Sequence, residues 1–173
     1  TTNFASKFGH FCVSIALFHK KQPILGVVYQ PLTNELFVGR KGKGALLNGR
    51  RIRIGRLNRI DRSVIVLGRG GTRAEKLSTV KLFGILSQEA RSIRMPGSAA
   101  LDLCYTAAGR FDASLINGTN IYDCAAGNII AAEAGALVTD FKGRRLRFDL
   151  KLESVLATNR MLHPVLVKIL RRF

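Results

Sequence analysis

The sequence predicts an α/β protein in which an antiparallel sheet is followed by a mixed α/β part. In residues 1–62, short apolar and β-branched runs alternate with turn-forming residues, a pattern typical of an antiparallel meander. In residues 63–173, similar runs alternate with longer segments of helical spacing, which indicates a mainly parallel or mixed sheet. We therefore expect one continuous structural unit made of these two parts.

The first part is predicted to contain three consecutive antiparallel strands, at residues 11–19, 24–29 and 35–38. Pro31 ends the second of these runs, since proline lacks the amide hydrogen that a sheet ladder needs. Further on, Asn48-Gly49 marks a tight turn, because this dipeptide favours the left-handed backbone of two-residue hairpin turns. The first part therefore reads as strands and turns throughout.

The second part is predicted to alternate strands with helices. The predicted strands are residues 64–67, 92–95, 111–116, 137–141 and 155–158. The predicted helices are residues 74–90, 99–108, 123–134 and 161–171, and Gly109 and Gly135 end two of them.

Charge is the unusual feature of the composition. Lys and Arg number 28 against 11 Asp and Glu, which gives a net charge of +17. This excess favours an anionic partner, such as RNA, an acidic protein or a phosphorylated metabolite, unless an acidic segment is absent from the sequence. The basic residues are dispersed, and the short clusters at 50–53 and 144–147 have no interleaved aromatic ladder. Charge alone does not separate these partners.

The sequence predicts a cytoplasmic protein without a membrane-spanning segment. No apolar run approaches the length of a membrane span, and residues 1–11 lack the apolar stretch of a signal peptide. The 3 cysteines lie far apart in apolar surroundings, so we expect reduced thiols in the core. His10, His19 and His163 are predicted to be surface or satisfied core residues, and Arg94 could reach a phosphate or be solvated.

Asp123 is the first candidate for chemistry. At the predicted start of a helix, its carboxylate could serve as an N-cap. The same carboxylate could instead bind a hard cation such as Mg²⁺. The small residues Ala125, Ala126 and Gly127 allow backbone or substrate to approach closely. Both interpretations fit the residues considered alone.

Five ordered segments resemble the inositol monophosphatase family. The segment from Tyr122 to Gly127, followed by Glu133-Ala134-Gly135, is similar to the family's second signature, although Tyr122 replaces the usual Trp. Residues 1–4, Thr-Thr-Asn-Phe, resemble the end of its first signature. Residues 26–29 and 42–49, 97–103 and 107–112 match further family segments in the same order.

This resemblance implies a Mg²⁺-dependent phosphomonoesterase that hydrolyses inositol monophosphate or a related sugar phosphate. In the family, metal ions lower the pKa of a bound water and offset charge on the phosphoryl oxygens. The resemblance assigns metal binding to Asp123 and a catalytic role in water activation to Thr1. It assigns substrate binding to Thr1, Thr2, Gly97, Ser98 and Ala99. It also implies a homodimer and a layered sandwich whose N-terminal helices are missing here, which leaves an apolar sheet face open.

Two departures limit what the resemblance implies. The family's other carboxylate ligands precede the position of Thr1, and one carboxylate cannot hold several Mg²⁺ ions. We therefore expect the chain alone to be catalytically poor. We also expect it to be part of a longer polypeptide, with a truncated non-catalytic relative or an N-terminal Thr1 nucleophile as the alternatives. Ile116 stands where the family has a glutamate that contacts inositol, which puts inositol itself in doubt.

A second functional hypothesis follows from the same departures. A family member that lost its metal site could act as a basic RNA- or protein-binding module. Its binding would weaken steeply with salt.

Overall fold

The computed structural model describes residues 1–148 and 151–171, which form two five-stranded sheets and five α-helices. The first sheet consists of β1 (Val13–His19), β2 (Gln22–Gln30), β3 (Glu35–Arg40), β4 (Gly44–Leu47) and β5 (Arg50–Ile52). A short helix, α1 (Thr2–Ala5), precedes it. The remaining elements are a 3₁₀ turn (Ile60–Arg62), β6 (Val64–Arg69), α2 (Arg73–Glu89), β7 (Ser92–Arg94), α3 (Ala99–Ala107), β8 (Ala113–Asn120), α4 (Ile121–Glu133), β9 (Leu137–Thr139), β10 (Lys151–Thr158) and α5 (Leu162–Leu170).

The two sheets differ in topology as the sequence predicts. The first is an antiparallel meander in the order β1-β2-β3-β4-β5. The second has the order β7-β6-β8-β10-β9, in which β6 runs parallel to β7 and β8 while β10 is antiparallel to both of its neighbours. The predicted α/β sandwich with a mixed second sheet is confirmed.

The elements stack as sheet, helices, sheet, helices. One core contains Val28 and Phe37 of the first sheet, Leu101 of α3, Ile130 of α4 and Val155 of the second sheet. The helices α3 and α4 therefore lie between the two sheets. A second core on the far side of the second sheet contains Leu82 and Leu86 of α2 and Leu162 and Leu166 of α5.

The outer face of the first sheet is open and apolar, as the sequence predicts. Val13, Ile15 and Leu17 of β1 expose 55%, 62% and 54% of their surface. Strand pairing sets Ile15 opposite Val27, and Val27 opposite Val38, so the apolar face continues across three strands. Among the described residues, no helix covers this face.

Helix α4 lies directly on the first sheet because two glycines face it. Gly26 and Gly39 are paired across β2 and β3. A Cβ atom at Gly26 would lie 2.5 Å from the carbonyl oxygen of Ala126, and one at Gly39 would lie 2.7 Å from the Cα of Ile130. This backbone contact fixes the position of α4, which contains Asp123.

Some element boundaries differ from the predicted ones. β8 continues to Asn120 and β10 begins at Lys151, because these strands pair along their whole length from Lys151 opposite Asn120 to Thr158 opposite Ala113. The predicted Asn48-Gly49 turn is confirmed, with positive φ at both residues (48° and 76°). The turn of the β1–β2 hairpin has positive φ at Lys20 and Lys21, at 46° and 59°. Lysine rarely adopts this conformation, so the sequence did not indicate a turn of this type.

Candidate functional site

The six residues selected from the sequence line one cavity. A cleft of about 740 Å³ lies between the segment that precedes β1, the start of α3 and the start of α4. Its lining includes Thr1, Thr2, Gly97, Ser98, Ala99 and Asp123. Residues 1–2, 97–99 and 123 thus meet at one place although they lie far apart in the sequence.

The segment of residues 1–12, here called the N-terminal segment, forms one wall of the cleft. Thr1 and Thr2 are exposed at the start of α1. Asn3 fixes this wall, since its Nδ2 donates to the carbonyl oxygens of His10 at 2.7 Å and Pro96 at 2.9 Å. The second bond connects the segment to the residue before Gly97.

The start of α3 forms the facing wall. Gly97 has a φ of +85°, a backbone conformation that favours glycine and directs the chain into the helix. Ser98 occupies the N-cap position, but its side chain makes no capping hydrogen bond. Its Oγ lies 3.8 Å from the Sγ of Cys12 instead. The Ser98 hydroxyl is therefore not committed to the helix end.

Asp123 lies in the first turn of α4 but does not begin it, which corrects the prediction that this residue begins the helix. The helix starts at Ile121 and Asn120 is the N-cap residue. The Nδ2 of Asn120 donates to the Asp123 Oδ2 at 3.4 Å. An acidic residue in the first turn interacts favourably with the helix dipole, and the Asp123 side chain remains exposed in the cleft.

Close packing of α3 against α4 sets the distance between the wall formed by the start of α3 and Asp123. A Cβ at Gly127 would lie 2.8 Å from the Leu103 Cβ and 3.1 Å from the Ala100 carbonyl oxygen. The predicted close approach at this small residue is therefore confirmed.

The described residues do not by themselves fit a Mg²⁺ site. Within residues 1–148 and 151–171, no group of three or more His, Cys, Asp or Glu side chains is arranged to hold a metal ion. Asp123 offers one carboxylate, whereas Mg²⁺ in proteins takes an octahedral oxygen environment. Further ligands would have to come from outside these residues.

Three features of the cleft were not predicted from the sequence. Arg69, at the end of β6, is exposed and lines the cleft. Arg94, the arginine considered for phosphate contact in the sequence, instead donates to Ser92 Oγ and the Ile93 carbonyl. Cys12, expected in the core, is half-buried in the cleft wall. In the part of the chain that the structure describes, the Ser14 Oγ and the Asp102 Oδ2 are buried without a hydrogen-bond partner, and both residues line the cleft.

Asp102 forms a pair with His10. The Nε2 of His10 lies 3.3 Å from the Asp102 Oδ1, and the Asp102 side chain is only 1% exposed. Burial raises the pKa of the Asp102 carboxyl, while the hydrogen bond from His10 opposes that shift. His10, expected to be a surface or satisfied core residue, is thus the partner of a buried acid beside the cleft.

Ile116 lines the cleft with an apolar side chain. It is 2% exposed, and a Cβ at the neighbouring Gly68 would lie 3.1 Å from its Cγ1. The wall at this position offers no hydrogen bond to a substrate hydroxyl.

Comparison with known proteins identifies the class of protein that this fold and cleft define. The model of the inositol monophosphatase family matches residues 1–173. An inositol monophosphatase from Anabaena (Nostoc) superposes with a TM-score of 0.94 at 36% identity, over 99% of this chain and 68% of that one. The chain belongs to the inositol monophosphatase family.

Curated relatives have two different names. The Nus factor SuhB of Xylella fastidiosa is 43% identical over 146 residues, which cover 83% of this chain and 52% of the relative. Inositol monophosphatase 3 of Solanum lycopersicum is 40% identical over 174 residues, which cover 98% of this chain and 64% of the relative. The chain thus spans about half to two thirds of the length of these relatives.

None of the described helices is both long enough and apolar enough to cross a membrane.

Proposed function

We propose that this chain is part of a Mg²⁺-dependent phosphomonoesterase that hydrolyses inositol monophosphate or a related sugar phosphate to an alcohol and inorganic phosphate. The observation that supports this most strongly is the single cleft that contains Thr1, Thr2, Gly97, Ser98, Ala99 and Asp123. Family membership supports the reaction class. The proposal concerns the whole protein, to which this chain would contribute Asp123 as one metal ligand.

The proposed roles follow from the walls of the cleft. Thr1 would orient the attacking water through its hydroxyl, and Thr2 would bind the phosphoryl oxygens near the exposed start of α1. Gly97, Ser98 and Ala99 would contact the alcohol part of the substrate. The Ser98 Oγ is a suitable partner because it makes no capping hydrogen bond to α3. Ile116 argues against inositol monophosphate itself, since its side chain cannot accept the inositol hydroxyl hydrogen bond that the resemblance assigns to a glutamate at this position.

The test of this proposal measures phosphate release by the full-length protein from a panel of sugar and inositol phosphates, with and without Mg²⁺. Asp123→Asn should lower turnover by about 100-fold or more, because it removes a charged ligand from a metal site. Asp61→Asn is the matched control, since Asp61 is exposed and paired with Arg59 outside the cleft. Equal turnover of the Asp123→Asn variant and the control would refute the metal-binding role.

A second candidate function is a basic module that binds RNA, and a specific surface favours it. A cleft of about 1010 Å³ is lined by Lys21, Arg144, Arg145, Arg147 and Lys151, together with Asp140 and Glu153. A neighbouring hollow of about 220 Å³ shares Gln22 and Arg145 with it and adds Lys41. We call these two hollows the basic groove.

Two of the three acidic residues of the basic groove have partners within the fold. Asp140 accepts from the Arg144 Nε at 2.7 Å, and Glu133 accepts hydrogen bonds from the backbone amides of Gly42 and Gly44. Arg145 is held by the Gln22 side chain, which leaves its charge available to an anion. A positive groove of this kind suits a single-stranded phosphate backbone.

RNA binding through the basic groove would depend on salt. Affinity for a single-stranded RNA should fall by about tenfold between 50 and 200 mM salt, because counterions are released on binding. The double variant Arg145→Gln/Arg147→Gln should weaken binding, whereas Arg50→Gln/Arg53→Gln, with equal loss of charge elsewhere, should retain most of it. Affinity that is independent of salt, or equally reduced in both variants, would contradict this candidate function.

Two further expectations belong to the same proposal. We infer a cytoplasmic location, which the free thiols of Cys12, Cys104 and Cys124 support, since reduced cysteines fit a reducing compartment. We also infer a homodimer of the full-length protein, which light scattering after size-exclusion chromatography would test.

A further inference from the structure

The His10–Asp102 pair joins two walls of the candidate phosphatase cleft. His10 belongs to the N-terminal segment, which includes Thr1 and Thr2. Asp102 lies in the first turn of α3, the helix that Ser98 and Ala99 begin. The 3.3 Å contact between His10 Nε2 and Asp102 Oδ1 therefore spans residues 92 positions apart.

Other contacts also connect the N-terminal segment to its neighbours. Asn3 donates to the Pro96 carbonyl at 2.9 Å, and the Cys12 Sγ lies 3.8 Å from the Ser98 Oγ. On the opposite side, Gln30 donates to the Gly9 carbonyl at 2.7 Å and connects the segment to β2. Among these contacts, only the His10–Asp102 pair involves a buried ionisable group on α3.

The fold gains little stability from holding Asp102 as a carboxylate. Its side chain is 1% exposed, and its Oδ2 has no hydrogen-bond partner in the described structure. Burial raises the pKa of this carboxyl, and the contacts with His10 and with the Ser98 backbone offset that effect only in part. An asparagine or leucine would therefore serve a purely structural role better. A costly buried pair that adjoins a cleft points to a role in the site.

The surroundings of the pair hold the imidazole in place. The ring of Tyr105 lies 5.7 Å from that of His10, and its hydroxyl donates to Glu35 at 3.2 Å. Glu35 in turn forms an ion pair with Arg110, whose guanidinium lies 4.6 Å from the Tyr105 ring. The ring of Phe8 lies 6.4 Å from that of His10. Two aromatic rings thus adjoin the imidazole, whose Nε2 contacts Asp102.

We propose that His10 and Asp102 are positioning residues, whose contact sets the separation between the Thr1–Thr2 wall and the Gly97–Ser98 wall of the cleft. Without it, the N-terminal segment would still be held through the bond from Asn3 to Pro96 and the bond from Gln30 to Gly9. It would, however, lose its side-chain contact with Asp102 of α3. The catalytic consequence rests on the proposed phosphatase function, whereas the positional consequence does not.

The first test measures position directly, by hydrogen exchange of the full-length protein. His10→Phe keeps an aromatic ring beside Tyr105 but removes the donor to Asp102. Amides of the N-terminal segment, which bond within it at Ala5, Ser6 and Phe8, should exchange about tenfold faster, because a hydrogen bond to a charged group is lost. His10→Gln keeps a side-chain N–H donor and should restore slow exchange.

A matched control separates this effect from a general loss of stability. His163→Phe removes a histidine that contacts the Thr139 hydroxyl at 2.9 Å, away from the cleft. It should leave exchange in the N-terminal segment unchanged. If His10→Phe leaves that exchange unchanged, or speeds exchange in the β8 and β10 core equally, the positioning role is overturned.

The second test measures hydrolysis of a sugar phosphate by the same full-length variants. His10→Phe should lower kcat by about tenfold and change KM less, because a displaced wall affects alignment in the transition state. His10→Gln should recover most of the loss. Fast local exchange in His10→Phe with unchanged kcat would refute the catalytic consequence. An inactive wild-type protein would instead count against the proposed function and leave the exchange result to decide the positioning role.

Discussion

The carboxyl of Asp102 is buried, and burial disfavours its charged form. Its pKa is raised by burial more than the hydrogen bond from His10 lowers it. For an acid whose folded pKa lies above its unfolded value, the favourable contribution is present below the unfolded pKa, about 4, and is lost as the pH rises through the folded pKa. Near neutral pH, the raised pKa of Asp102 therefore lowers the free energy of unfolding.

Asp102→Asn should raise the melting temperature at pH 7, since the amide can still accept a hydrogen bond from His10 without the desolvated charge. The difference from the wild type should shrink as the pH falls below about 4, where the wild-type carboxyl is neutral in both states. Thermal unfolding between pH 3.5 and 8 measures this. Asp61→Asn is the control with the opposite sign, because the Arg59 partner lowers the pKa of Asp61. A lower melting temperature of Asp102→Asn at pH 7 would show that the charge stabilises the fold.

The pKa of Glu75, beside the cleft residues Gly70 and Gly118, is lowered, whereas that of Asp102 is raised. The Lys151 ammonium lowers the pKa of this carboxyl to about 2, and the backbone of Thr72 adds to the shift. Its side chain fills the space beside Gly70 and Gly118, both of which lack the Cβ that would meet it. A single capping residue thus connects the start of α2 to the ends of β8 and β10.

At the scale of elements, the contact between α4 and the first sheet depends on two glycines. Gly39→Ala would set a Cβ 2.7 Å from the Ile130 Cα, which is backbone and cannot rotate away. We expect this variant to lose about 1–3 kcal/mol of stability, as overpacked cores do. Chemical denaturation measures the loss.

The same substitution elsewhere supplies the control. Gly84 lies inside α2, and a Cβ there would meet nothing within 4 Å. Gly84→Ala should therefore stabilise the protein by up to about 1 kcal/mol, because alanine is the better helix former. If both variants shift stability in the same direction, the close contact between α4 and the sheet is not what makes Gly39 necessary.

Periodicity predicted most of these elements, and pairing explains where it failed. The apolar spacing of α2 and the strand patterns of the first sheet are visible in the sequence. The predicted strand ends at residue 116, yet Asn117, Thr119 and Asn120 of β8 still pair with β10, on either side of Gly118 with its φ of +76°. Asn117 additionally donates to the Glu75 carbonyl of α2, a contact that no local pattern indicates.

The candidate site was predictable only as far as the family motifs extend. These motifs selected the residues that line the cleft, although the roles of Thr1, Thr2, Gly97, Ser98, Ala99 and Asp123 remain predictions. Arg69 and the His10–Asp102 pair lie outside the motif positions to which the resemblance assigned roles. The two members of the pair are 92 residues apart, so their contact follows from the packing of two walls rather than from any sequence spacing.

At the scale of the whole molecule, the open face of the first sheet governs how this chain behaves in isolation. Val13, Ile15 and Leu17 are each more than half exposed, and they adjoin further apolar side chains of β2 and β3. Contiguous exposed apolar surface of this kind promotes association.

The 173-residue chain by itself should therefore bind a hydrophobic dye such as ANS and sediment faster as its concentration rises. Ile15→Lys, at a position 62% exposed, should reduce both effects without unfolding the protein. The control is Val80→Lys on the solvent side of α2, which is 69% exposed but lies outside the sheet face. Equal dye binding by the wild type and Ile15→Lys would contradict this assignment.

The backbone contact at Gly26 and Gly39 also limits how the candidate site could evolve. Asp123 lies in the same helix as Ala126 and Ile130, whose main chains meet the sheet at these glycines. No side chain separates the backbone of the helix from that of the sheet. Side-chain rearrangement therefore cannot accommodate an added atom, and the helix itself must move. Variation at position 39, in a strand with no residue lining the cleft, would therefore move a cleft carboxylate and should behave genetically as variation in the active site.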